Sequence, residues 1–134
     1  MRYAKYQIPM MSGEWVELRV LGGGRSVCPV CGVITSGPPA YHLGEYEASG
    51  HVRAGATKGM WAIGCHGICP SCNTQFGDDD LAADFGGLPQ VEIWRRLRVA
   101  WLNAQNWSPA ALQQLDENLG VSEALARQDA QNLH

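Results

Sequence analysis

Two cysteine pairs, CPVCG at 28–32 and CPSCN at 69–73, are the residues best suited to chemistry in this sequence. In each, two residues separate the cysteines, with proline first between them, and the second cysteine precedes a residue tolerant of positive φ, Gly32 or Asn73. That is the build of a zinc knuckle. Its tight turn aims backbone N–H groups at the first thiolate and folds both sulfurs onto one ion. Two knuckles supply four sulfurs at about 2.3 Å from zinc and close its tetrahedron. We therefore assign Cys28, Cys31, Cys69 and Cys72 as ligands of one structural Zn2+. A closed four-thiolate site leaves no position for water or substrate, so it holds structure and does not catalyse.

Competing uses of these cysteines are weaker. A redox CxxC of the thioredoxin type occurs once, at a helix start in a βαβ setting, and no such setting is present. Cys65 and His66 lie just ahead of the second knuckle and are candidates for an additional metal contact. With four thiolates already in place, the simpler expectation is a buried small cysteine beside a surface histidine. A second metal held by Cys65, His66, His42 or His51 is a thinner alternative.

Two further stretches carry charge. DDDLAAD holds Asp78, Asp79, Asp80 and Asp84, with spacing wrong for an EF-hand, so it reads as a solvated acidic turn or a short-helix cap. WRRLRVAW at 94–101 interleaves Arg95, Arg96 and Arg98 with two tryptophans. It can grip a nucleic-acid backbone or an acidic partner, but in an acidic chain the favoured reading is an amphipathic helix with tryptophans in and arginines out. GxSxG, HExxH and P-loop patterns are absent, and GGG at 22–24 is a turn. No enzyme is expected.

The elements that must position these groups follow from periodicity. YAKYQI at 3–8 alternates loosely and WVELRVL at 15–21 alternates well, with Val16, Leu18 and Val20 on one face. Residues 35–59 are rich in Gly, Pro and small polar side chains and read as loops with one ragged hairpin, followed by a short strand at 60–64. Val91, Trp94, Leu97 (or Arg98) and Trp101 form a helical stripe over 90–104, with Pro89 at the first turn. Trp94 and Trp101 are expected inside, and Arg95 and Arg98 solvated and paired with the 78–84 carboxylates. Ser108-Pro109 opens a second helix that Gly120 ends, and a weaker third starts from Ser122. The expected fold is α+β: a small zinc-ribbon-like β part over 1–87 packed against two or three C-terminal helices over 88–134, as one domain.

Bulk properties set limits. The chain has 134 residues, 46% hydrophobic and 17% charged, with five cysteines. An odd cysteine count with close pairs and no export signal points to metal in a reducing cytoplasm. No apolar run suits a membrane span. Net charge is −3, split as +2 over residues 1–72 and −5 over the remainder. That balance disfavours a dedicated nucleic-acid surface.

CPVCG, CPSCNTQFGDDD at 69–80 and EIWRRLRVAWLNAQNWS at 92–108 together resemble small bacterial cysteine-rich proteins of the CPCC and zinc-ribbon kind. Their pattern is CPxCG, a variable stretch, a strand into CPxCGxEFGYDD, then a helix with paired tryptophans. This chain departs from it in CPVC for CPCC, in Asn73 for glycine and in the length of its spacer. The resemblance covers residues 26–108 and implies zinc and a compact ribbon with a helix. It implies little about function; such small proteins are often met in bacterial accessory or conflict loci, and an immunity-type or phage-related role follows by analogy alone. The functional expectation is a zinc-stabilised protein-interaction module, its partner surface including Asp78, Asp79, Asp80, Asp84, Arg95, Arg96 and Arg98. The alternatives are a nucleic-acid-binding ribbon and, least favoured, an enzyme with an open metal site that His66 or water completes.

Overall fold

The computed structural model describes residues 3–10, 12–42 and 62–132. The chain is α+β, a four-stranded antiparallel sheet followed by three helices. Strand β1 (Ala4–Pro9) pairs with β2 (Trp15–Leu21) from Ala4 opposite Val20 to Pro9 opposite Trp15. Alternation in β2 works as its period demands: Val16 and Leu18 are buried while Trp15 and Glu17 are exposed. The glycine run turns the chain into β3 (Arg25–Val27), which pairs with β4 (Ile34–Ser36), giving sheet order β1-β2-β3-β4. The first knuckle is the tip of the β3–β4 hairpin.

A second small sheet pairs β5 (Tyr41–His42) with β6 (Ile63–Gly64). The long glycine-rich loop expected between them, with His51, lies mostly outside the described residues. Past β6 the backbone crosses itself closely. A Cβ on Gly64 would sit 2.5 Å from Gly77 Cα, so only glycine fits there.

A short 3-10 helix (Ala82–Phe85) leads to α1 (Gln90–Ala104), α2 (Pro109–Leu119) and α3 (Glu123–Asn132). Ser108 Oγ accepts from the Ala111 N–H, Pro109 takes the first turn, and Gly120 closes α2 in the left-handed conformation. Pro89 stands one position earlier than expected, at the α1 N-cap. The buried stripe of α1 also differs from the expected one. Val91 is 52% exposed, and Gln90, Ile93, Trp94, Trp101 and Leu102 face inward. The helix carries two overlapping apolar rows that share Trp94 and Trp101, and the row that turns inward takes Ile93 and Leu102 in place of Val91.

One core joins both parts of the chain. Ile8, Val16 and Leu18 from the sheet pack in the same cluster as Val30, Tyr41, Phe76, Trp94, Trp101, Leu115 and Ala126. Both tryptophans of α1 belong to it. Among the described residues, no helix is long and apolar enough to cross a membrane.

Candidate metal centre

The two knuckles are built alike, atom for atom along the backbone. In the first, Cys28 N–H donates to Val33 O (2.8 Å) and Gly32 N–H to Cys28 O (2.9 Å). In the second, Cys69 N–H donates to Thr74 O (2.9 Å) and Asn73 N–H to Cys69 O (2.8 Å). Each turn is flanked by an antiparallel pair at the same offset, Val27 with Ile34 and Ile68 with Gln75. Gly32 and Asn73 both hold positive φ, 81° and 62°. Gly32 is doubly constrained: a Cβ there would lie 2.8 Å from Leu115 Cα, because α2 packs directly on the turn.

These turns bring Cys28, Cys31, Cys69 and Cys72 together, their sulfurs all within 4.8 Å of one another. Cys28 Sγ lies 3.8 Å from Cys72 Sγ, and Cys31 Sγ lies 3.6 Å from Cys69 Sγ. A tetrahedron with metal–sulfur bonds of about 2.3 Å has sulfur–sulfur edges of about 3.8 Å, so the spacing fits a metal ion. All five cysteines are free thiols.

The electrostatics of the cluster call for a cation. Burial pushes the Cys28 thiol well up, and its neighbouring thiols push the same way. Cys69 is held well down by hydrogen bonds from Cys28 and Cys31, with the Cys72 backbone N–H adding to the effect. Without a central positive charge, four buried sulfurs cannot all ionise together. With a divalent ion bound, all four sulfurs could be held as thiolates.

Side chains from the helices hold the outside of the first knuckle. Arg98 of α1 donates through Nε to Val30 O (2.6 Å) and through Nη2 to Pro29 O (2.9 Å). Asn118 of α2, itself buried, donates through Nδ2 to Gly32 O (2.7 Å). The second knuckle is held differently. Cys72 Sγ contacts Thr74 Oγ1 at 3.3 Å, and the chain beyond it folds around Asp80.

Asp80 is 0% exposed. Its Oδ1 accepts from Gly77 N–H, and its Oδ2 accepts from Trp94 Nε1 (2.9 Å) and Gln90 Nε2 (3.2 Å). Gln90 Nε2 also donates to the Asp80 carbonyl, and the Tyr41 hydroxyl bonds the same carboxyl. Burial, with Asp80 beside it, pushes the Tyr41 hydroxyl well up. This node ties the segment after the second knuckle to α1 and to the small sheet. It was not legible beforehand, because nothing marks the third aspartate of DDD apart from its neighbours.

Several expectations are corrected by these contacts. Asp80 is a buried structural group, and it leaves the partner surface on which it was placed. Arg98 is turned inward onto knuckle carbonyls, and Arg95 pairs with Glu92 at 2.5 Å and faces Asp129 at 3.9 Å. Neither arginine meets the 78–84 carboxylates as expected: Asp80 is withdrawn into the core, and α1 already offers Arg95 a carboxylate three residues away. Asp78, Asp79, Asp84 and Arg96 are exposed.

Cys65 does not join the four-sulfur cluster. Its sulfur accepts from Gly67 N–H at 3.4 Å, and burial pushes the thiol up. It lines a groove of about 430 Å³ with Ile34, Pro38, Ile68 and Phe76. His66 is exposed, with Nδ1 placed 2.8 Å from Asp78 Oδ2. His42 is half-buried in β5, and among the described residues no second cluster includes either histidine.

No family model, curated protein or solved structure matches the chain. The case for what it does rests on the geometry itself.

Proposed function

We propose that this chain is a zinc-stabilised, non-catalytic module of the ribbon kind whose folded surface engages a protein partner. An immunity- or inhibitor-type accessory protein is the form that the resemblance to small cysteine-rich bacterial proteins favours. The observation that carries the reading is the closed set of four cysteine sulfurs at metal-bridging distance inside the core. Its all-sulfur donors suit zinc, whose structural sites take four such ligands. Matched hairpin registers around the two knuckles support the ribbon likeness.

The partner surface is the acidic turn carrying Asp78, Asp79 and Asp84, with exposed Leu81 and Ile68 close in the chain. Carboxylates around apolar side chains suit a basic partner that also offers apolar contact. The nucleic-acid reading loses support, since Arg95 and Arg98 are engaged within the fold and Arg96 alone of the three is exposed.

Metal removal separates a structural from a catalytic ion. Chelation should abolish dispersed amide resonances and the cooperative thermal transition, and added zinc should restore both. A chain that stays folded after complete metal removal contradicts the structural role and favours an open, exchangeable site.

A further inference from the structure

We propose that Arg98 is a positioning residue of the metal centre, both clamp for the first knuckle and counter-charge for the tetrathiolate. The inference deepens the zinc reading above and rests on it. Pro29 and Val30 are the two residues between the ligand cysteines, and both are buried. Their carbonyls point outward from the turn and need donors. The guanidinium fork meets both at once, Nε on Val30 O (2.6 Å) and Nη2 on Pro29 O (2.9 Å). A fixed planar fork suits two adjacent acceptors, and an ammonium on a flexible stem does not.

Charge gives the second half of the argument. Among the described residues no carboxylate lies within ion-pair distance of Arg98. Its hydrogen-bond acceptors are neutral carbonyls, so those bonds leave its charge uncompensated. Burial disfavours that charge, while Asp129, Cys28 and Cys31 favour it. A divalent ion with four thiolates carries a net charge of about −2 inside the core. One guanidinium beside the turn halves that charge, and the centre in turn stabilises the arginine. Arg95, one turn earlier on the same helix, spends its charge on Glu92 and Asp129, and among the described residues it makes no hydrogen bond to the knuckle.

The test compares full-length wild type, Arg98→Met, Arg98→Lys and Arg95→Met. Zinc affinity is measured by competition with a chelator of known affinity, and the thiolate-to-metal charge-transfer band is recorded in the cobalt-loaded proteins. Arg98→Met should lose about tenfold to hundredfold in zinc affinity, the range for residues that orient metal ligands. Its cobalt band should move to longer wavelength, because loss of a nearby positive charge raises the energy of the sulfur electrons. Arg98→Lys should keep the band near its wild-type position and fall between the two in affinity. Arg95→Met should match wild type within twofold. Ile8→Val, which trims a buried side chain of β1, controls for plain destabilisation: it can lower affinity but should leave the band in place. An Arg98→Met protein with wild-type affinity and an unmoved band overturns the proposal. Arg98→Lys with full wild-type affinity overturns the clamp. If Arg98→Met fails to fold, Arg98→Lys decides through the same affinity reading. Wild type that takes up no metal overturns the zinc reading as well, whereas loaded wild type with an indifferent Arg98→Met overturns this inference alone.

Discussion

Cys65 and Cys69 are four residues apart, yet only one of them belongs to the sulfur cluster. Spacing explains the difference. A ligand pair needs the CxxC turn to converge its sulfurs, and Cys65 precedes that turn, just past β6 and before the positive-φ His66, where its sulfur accepts from Gly67 instead. Serine in place of Cys28, Cys31, Cys69 or Cys72 should each abolish stoichiometric zinc or soluble expression, because three thiolates leave an open, weakened site. Cys65→Ser and His66→Ala should retain the metal, measured as zinc per chain after desalting. A Cys65→Ser protein as depleted as Cys69→Ser contradicts the assignment. The four cysteines were legible because their chemistry is local to two five-residue turns. Arg98 and Asn118 were not, because their acceptors lie 68 and 86 residues away in sequence. No periodicity records so distant a pairing, and an arginine on a helix ordinarily reads as solvated.

Among the elements, β1, β2 and the three helices stood out in the sequence because each carries its own period or cap. Ser108-Pro109 and Gly120 mark α2 through backbone chemistry alone. Less legible was which face of α1 turns inward. The inward face carries Gln90 and Trp94, both bonded to Asp80, a buried carboxyl with donors from Gly77, Gln90, Trp94 and Tyr41. Asp80→Ala should strand several buried donors at once. Each costs about 1–3 kcal/mol, so the loss should reach about 3 kcal/mol or more in urea unfolding of the zinc-loaded protein. Asp79→Ala, at an exposed carboxylate that accepts from Gln75 N–H, should cost far less. Equal effects at the two positions contradict the node. β6 falls within the short strand expected at 60–64, whereas β4 and β5 are two or three residues long and are defined by pairing across the chain, so local propensity carries little trace of them.

On the scale of the whole molecule, the helices are part of the wall around the four-cysteine cluster. Leu115 packs on Gly32, Asn118 and Arg98 take the knuckle carbonyls, and Trp94 anchors the segment after the second knuckle. This arrangement removes two of three arginines from the basic stretch. Binding to duplex DNA, single-stranded DNA or RNA should therefore be weaker than micromolar at physiological salt, since such affinity needs several free cations. Micromolar or tighter binding that falls steeply with salt and vanishes in Arg95/Arg96/Arg98→Ala contradicts the protein-partner reading.

The most direct test of the account is the metal content of the purified full-length chain. Elemental analysis of protein prepared without added metal should find close to one zinc per chain, with no visible colour. No zinc, or iron with colour, contradicts the four-cysteine zinc centre on which the account depends.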